Sequence, residues 1–367
     1  MDREVSKSID KAKKWLLKQR KGSSWRLLVE NESPTATALS LYVLKGDKRT
    51  KAIDYFLKNE VWKKSLYAGF IFVNALRDTG EYKLADEVLF ECKNEIRNRG
   101  KNLSTKKIEK EAKKLLEHAR ADFPFGLNEK DLSIIPFYTW LLKLTPEKMW
   151  YSRTSFFYNV FPGIALITSS NKDKKLNQKI IYIIKKSLNE NYSHASFSIS
   201  TIMCIYVLRQ LGENELANKS LKWIEGIINE NGSIRYFSSQ DIWETCLAGL
   251  ALLNLEEDIT DVIDWLETKK VGPGYPFISG SYVPDFDDTP MVLMMKKLTN
   301  RLDENAYETL DFLIESQRYD RGWPTYAYYT QKHDIFLKLF SIIINGFGLL
   351  TSSRRRGYGP LYPIKTR

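Results

Sequence analysis

Apolar residues recur at three- and four-residue spacing along almost the whole of this 367-residue chain, and no stretch alternates convincingly with a period of two. Such spacing gives each segment one apolar stripe and no pleated face to bury, so the chain is restricted to packing helix on helix. Helices are predicted over 4–20, 34–45, 48–59, 66–78, 81–98, 104–119, 130–144, 154–169, 173–189, 196–211, 213–229, 241–254, 258–268, 289–299, 303–317 and 334–350. Short polar turns such as Lys45-Gly46-Asp47-Lys48, Asp78-Thr79-Gly80-Glu81 and Leu211-Gly212-Glu213-Asn214 join them in pairs. The expected fold is therefore all-α, an array of helical hairpins. Its longest interruption spans roughly 270–288, and a long loop inside a compact domain is a usual place for function.

That loop runs through Pro273-Gly274-Tyr275-Pro276-Phe277 into Val283-Pro284-Asp285-Phe286-Asp287-Asp288-Thr289-Pro290, followed by the apolar start Met291-Val292-Leu293-Met294-Met295. Thr289 reads as an N-cap and Pro290 as the first helical residue, which sets Asp285, Asp287 and Asp288 at or just before a helix N-terminus. Carboxylates there complement the helix dipole, and the plain reading is an acidic cap. A cap needs only one carboxylate, however. Three crowded together do not all ionise, so the group can hold a proton.

A weak internal repeat runs through the chain as well. Trp15-Leu16-Leu17-Lys18-Gln19 is followed by Gly22 and Trp25, and Phe312-Leu313-Ile314-Glu315-Ser316-Gln317 by Gly322 and Trp323. In each, a helix ends in Gln, a tight turn follows, and Trp comes next. Trp223 to Asn231-Gly232-Ser233-Ile234 keeps only the helix, the turn and an apolar residue. The Gln amide can bond the turn while the Trp packs between hairpins, stapling successive units of a closed helical ring.

These repeats resemble the QW motifs of the squalene–hopene cyclase and class II terpene cyclase superfamily, and Asp285-Phe286-Asp287-Asp288-Thr289 resembles its DxDDT acid motif. Asp241-Ile242-Trp243-Glu244-Thr245-Cys246-Leu247-Ala248 is similar to the family's VWDTALA helix start. Gly274-Tyr275-Pro276-Phe277 is similar to GGFAF, and Gly322-Trp323-Pro324-Thr325-Tyr326 to GWGAY. The matches stand in the family's order over about 240–330, and Trp15 to Leu44 is similar to the first QW motif with its following helix. The resemblance implies an α/α toroid, here a single domain over 1–367 with a basic tail 351–367 that includes Arg354-Arg355-Arg356. Squalene–hopene cyclases are longer and build two toroids around their cavity, so a second subunit or a homodimer is the alternative way to complete a site.

It further implies protonation-initiated cyclisation of a linear isoprenoid. An alkene is a very weak base, and a carboxylic acid protonates it only from a dry site where the acid has kept its proton. Asp287 is then the general acid, with Asp285 and Asp288 in its hydrogen-bond network. Trp243, Phe277, Tyr282 and Tyr326 are candidates to face the carbocation, each worth roughly 0.5–2 kcal/mol through cation–π attraction. Squalene cyclases support the acid with a His one turn beyond an Asp; here Asp334 is followed by Lys338, and the nearby His is His333. This favours a prenyl diphosphate of sesqui- or diterpene length, held by basic residues such as Arg235 and Lys338, with Arg318, Arg321 and Lys332 as further candidates. No cofactor is required; Mg²⁺ would assist a diphosphate substrate, and there is no DDxxD metal motif.

Net charge is +11, which suits an anionic ligand or peripheral contact with a membrane surface, and nothing beyond that charge points to nucleic acid. Cys92, Cys204 and Cys246 are far apart and form no CxxC pair, and no signal peptide or spanning segment is read, so a cytoplasmic protein is expected. Two rivals share the toroid. One is a zinc prenyltransferase subunit with Glu244, Cys246 and His333 as a faint ligand set. The other is a non-catalytic subunit whose cavity binds an isoprenoid or a partner chain.

Overall fold

The computed structural model describes residues 3–25, 32–100, 103–123, 125, 135–151, 156–169, 173–236, 241–280, 284–317 and 321–323. Among them are helices α1 (Arg3–Gln19), α2 (Pro34–Ser40), α3 (Gly46–Lys58), α4 (Val61–Lys64), α5 (Leu66–Asp78), α6 (Tyr82–Arg99), α7 (Thr105–Asp122), α8 (Ile135–Leu144) and α9 (Glu147–Tyr151). They continue as α10 (Phe156–Thr168), α11 (Lys174–Ser187), α12 (Ser198–Gln210), α13 (Asn214–Gly226), α14 (Asp241–Leu253), α15 (Thr260–Glu267), α16 (Asp288–Leu298) and α17 (Glu304–Ser316). The described residues form isolated bridges, four within turns and one between Glu32 and Arg235, and no strand. The all-α expectation holds. Single-turn helices α4 and α9 were not expected, since four or five residues show no period, and the predicted helix 334–350 lies outside the described residues.

Inner and outer helices differ in how much of their surface is apolar, as the hairpin pattern requires. In α5 every residue from Ala68 to Leu76 is buried, and in α2 every residue from Ala36 to Ser40. These are inner helices, covered on all sides. Their partners bury one stripe: Ala85, Val88, Cys92 and Ile96 in α6, and Ala217, Ser220 and Ile224 in α13. Burying a side chain such as Val88 or Ile96 contributes about 1.5–3 kcal/mol. Each inner helix packs on the outer helix that follows it, in the pairs α2–α3, α5–α6, α10–α11, α12–α13, α14–α15 and α16–α17. Between pairs, α2 packs on both α5 and α12, and α12 on α10.

The buried apolar side chains gather into two main clusters. One draws on residues from Ala36 to Ile234. The other joins Trp25 to residues from Ile242 to Met295. The first is closed on itself where its ends meet. Ser33 N–H donates to Ile234 O (2.8 Å), Ile234 N–H to Thr37 Oγ1 (2.9 Å), and Asn231 Nδ2 to Glu32 Oε1 (2.7 Å). The N-terminal helix is bound to the second cluster: Trp25 is fully buried there, its N–H donating to Thr245 Oγ1 of α14 (2.9 Å).

Candidate active site

The acid turn is held between two strands of hydrogen bonding. Asp285 N–H donates to Tyr275 O (2.8 Å), and Tyr275 N–H donates to Thr289 Oγ1 (3.0 Å), whose hydroxyl lies 3.2 Å from Tyr275 O. One residue of the preceding segment thus clasps both ends of the acid motif. Gly274 permits that approach, because a Cβ there would stand 2.8 Å from Pro284 Cβ. Phe286 stacks on Phe312 at 5.3 Å.

The helix begins at Asp288, two residues before Pro290, with Asp287 in the N-cap position, and Asp285 rather than Thr289 supplies the side-chain oxygen that meets its first amides. Asp285 Oδ1 accepts the N–H of Asp287 (2.7 Å) and of Asp288 (3.3 Å), satisfying donors that a helix start leaves open. Thr289 is unavailable as a cap because its hydroxyl is engaged with Tyr275. Pro290 falls within the first turn, where its missing N–H loses nothing.

The three carboxyls differ sharply in environment. Asp285 is 3% exposed and Asp288 is fully buried, whereas the side chain of Asp287 is exposed among the described residues. Burial pushes Asp285 up to about 6. Burial again comes first for Asp288, reinforced by the charges of Asp285 and Asp287, and pushes it up to about 9. No described group meets ordinary hydrogen-bond geometry with either Asp288 carboxyl oxygen, although Asp285 lies close enough for the two to share a proton. At neutral pH the cluster therefore holds a proton, and holds it on its innermost member. Helix α14 supplies the facing wall. Asp241, also buried, adds its charge to the push on Asp288, and burial with the nearby acids drives the Cys246 thiol well above its ordinary range.

An aromatic group adjoins this wall. Trp243 is half-buried, and its N–H donates to Phe277 O at 3.2 Å. Asp241 Oδ1 accepts Ser279 N–H (2.9 Å), fixing the Phe277 segment against the start of α14. The Phe277 ring lies 5.9 Å from Phe197, which in turn lies 5.5 Å from Tyr236 in an edge contact. Phe197 and Tyr236 come from the stretches flanking α12 and α14 and were not among the residues expected at the site. Sequence distance hid them, for Phe197 precedes Phe277 by 80 positions.

Other expected residues lie elsewhere. Arg235 sits at the closure of the first cluster, its Nε donating to Asn229 Oδ1 (2.7 Å) in a local turn. Arg321 has a left-handed backbone (φ 67°), and its carbonyl accepts Gln317 Nε2 (2.9 Å). Tyr282, Tyr326, Arg318, Lys332, His333, Asp334, Lys338 and the tail 351–367 lie outside the described residues. The Gln–Trp repeats differ from one another: Trp25 is buried with Nε1 donating to Leu16 O (2.8 Å), while Trp323 makes the matching bond to Leu313 O (2.7 Å) but is 49% exposed. Among the described residues no group of three or more His, Cys, Asp or Glu is arranged to hold a metal ion, and no helix is long and apolar enough to cross a membrane.

No family model and no curated protein sequence matches this chain. Among solved structures it is similar to abietadiene synthase from Abies grandis, with a TM-score of 0.51 and 14% identity. The likeness covers 97% of this chain and 49% of that one, so the chain spans about half the length of its structural neighbour. At that identity the likeness is one of fold, and the fold of this chain is a terpene-cyclase-like helical one.

Proposed function

We propose that the protein is a terpene-cyclase-type enzyme that starts the cyclisation of a linear isoprenoid by protonating it, as class II enzymes do. The observation that carries this reading is the acid turn, where three carboxyls share one helix start and the buried member keeps its proton at neutral pH. A helix cap or an inert binding site has no use for that arrangement. The terpene-cyclase-like fold supports it in turn.

In this reading Asp287 meets the alkene, being the member of the trio open to a substrate, and the bound isoprenoid itself supplies the dry surroundings the acid needs. The alkene electron pair takes the Asp287 proton to form the new C–H bond, the O–H pair stays on the carboxylate oxygen, and the other alkene carbon is left as a carbocation. Asp285 fixes Asp287 through the backbone N–H it accepts, and the proton resident on Asp288 lowers the charge that the cluster would otherwise carry. Trp243 and Phe277, joined by Phe197 and Tyr236, supply the aromatic faces that attract the cation. A prenyl diphosphate of sesqui- or diterpene length is the favoured substrate, with squalene or another polyprenyl chain as the alternative; Mg²⁺ and basic residues would then serve the diphosphate. A second reading gives the donated proton to Asp288 itself, and its burial and raised pKa favour that assignment.

Product analysis by gas chromatography–mass spectrometry decides these readings. Wild type, Asp287→Asn and Asp288→Asn are each incubated with farnesyl diphosphate, geranylgeranyl diphosphate and squalene, with phosphatase treatment before extraction. A cyclic product from wild type that is lost in Asp287→Asn establishes protonation by Asp287. Loss confined to Asp288→Asn transfers the role. No cyclic product from any substrate removes cyclisation by this chain alone and favours a subunit that binds an isoprenoid or a partner chain.

A further inference from the structure

The most deeply buried cation of the described structure stands behind the acid turn. Lys296, two turns along α16 from Asp288, is 2% exposed. An ammonium so placed is retained only where it is fully paired. Its Nζ donates to Glu267 Oε1 at the end of α15 (2.9 Å) and to Asp303 Oδ1 at the start of α17 (2.9 Å). Burial alone would lower its pKa, but the bonds to Asp303 and Glu267 outweigh burial and the net shift is upward. Glu267 Oε1 also accepts the phenol O–H of Tyr275 at 2.6 Å.

This chain of contacts leads into the acids. Tyr275 is the residue whose backbone clasps Asp285 at one end of the acid motif and Thr289 at the other. Its main chain is thus committed to the acid turn and its side chain to the Glu267–Lys296 pair. Lys296 lies on the helix that begins with the acids, so Tyr275 is tied to the start of α16 directly and to its later turns through Glu267. We propose that Tyr275, Glu267 and Lys296 are positioning residues that hold the acid turn from Asp285 to Thr289 in its working geometry. The proposal deepens the cyclisation reading and rests on it for its kinetic consequence, though the placement of the carboxyls can be tested without substrate.

The groups facing Asp288 are Asp285 and Asp287 from its own turn and Asp241 and Cys246 from α14. None is altered by Tyr275→Phe, which deletes one hydroxyl and leaves Lys296 paired with both carboxylates. The experiment follows the protonated-carboxyl infrared band of the full chain, labelled with 13C-carboxyl aspartate, through a pH titration. Wild type is expected to show a midpoint near 9. In Tyr275→Phe the midpoint falls by about one unit or more as water reaches the turn. With the substrate that wild type cyclises, kcat falls on the order of tenfold while KM stays within roughly twofold, because orientation and not binding is lost. Glu267→Ala, which removes the acceptor of the phenol, follows Tyr275→Phe and provides the same test should the tyrosine variant fold poorly. An unshifted titration in Tyr275→Phe and Glu267→Ala overturns the positioning role, whatever their stability. If wild type yields no cyclic product, a shifted titration still supports that role and the cyclisation reading alone is lost.

Discussion

A carboxyl buried as completely as that of Asp288 is cheapest to keep as the neutral acid, and this has a measurable consequence for stability. Its pKa in the folded protein, about 9, lies far above the ordinary aspartate value of the unfolded chain. Between those two values the folded state binds a proton that the unfolded state has released. The contribution of Asp288 to stability is therefore fullest at acid pH and is lost as pH rises towards 9, by roughly 1.4 kcal/mol per unit. Asp285, raised to about 6, steepens the lower part of the decline. Asparagine is the uncharged isostere, so Asp288→Asn is expected to match wild type near pH 4 and to exceed it in stability at about pH 8.5. Denaturant unfolding at several pH values checks this. Parallel curves for the two proteins would show that Asp288 ionises freely in the fold.

At the scale of helices and turns, one device recurs at four places, twice reaching the helix that follows and twice a helix distant in sequence. The N–H of a turn residue donates to a threonine hydroxyl near the start of an inner helix: Trp25 to Thr245, His194 to Thr201, Ile234 to Thr37 and Tyr275 to Thr289. Thr37 and Thr201 also donate to the carbonyl four residues back, using both functions of the hydroxyl. Thr37→Val keeps the shape but leaves the Ile234 N–H buried without a partner, an expected loss of about 1–3 kcal/mol, while Thr37→Ser retains most of the stability. A denaturant series over the three proteins measures the difference. The helices themselves were legible from their apolar spacing, and the acid turn from its three carboxylates. The threonine latches were not, because Thr37 and Ile234 are 197 residues apart and a single threonine carries no period. Nor was the kinship of the turns. The turn in the degenerate repeat from Trp223 to Ile234 makes, between Asn229 and Ser233, the same amide-to-serine bond as Asn189 to Ser193, at 2.9 and 3.0 Å. Tyr192 accepts at φ 64° the left-handed backbone that Gly232 adopts at φ 91°, but only the glycine fits against Lys51 O. Lys296 was hidden for a further reason: a lysine among apolar helical residues reads as solvated until the carboxylates of neighbouring helices are placed around it.

On the scale of the whole molecule, the order of the chain and the order of its buried cores disagree. Residues 32–236 meet end to end through Ser33, Glu32, Asn231 and Ile234, while Trp25 reaches past them to pack with residues 242–295. The single toroid over 1–367 is what the family resemblance implies; hairpin periodicity itself reports local pairing and carries no mark of where a core closes. The hydrogen bonds at that closure predict that residues 32–236 fold without the rest of the chain, since among the described residues their apolar cluster takes no side chain from α1 or from α14 onwards. The remaining residues cannot be divided so simply. A fragment starting at 241 lacks Trp25, whose fully buried ring and N–H bond to Thr245 complete the second cluster. Losing a buried Trp side chain costs about 3–5 kcal/mol, enough to unfold a core of that size. Expression of 32–236 is expected to give a single cooperative thermal transition, and 241–367 to remain unfolded until a peptide of residues 3–25 is added. Recovery of helical circular dichroism on adding that peptide, but not its Trp25→Ala variant, would establish that the acid turn is carried by a core assembled from both ends of the chain. A cooperative transition in 241–367 alone would show that Trp25 only covers a core already formed.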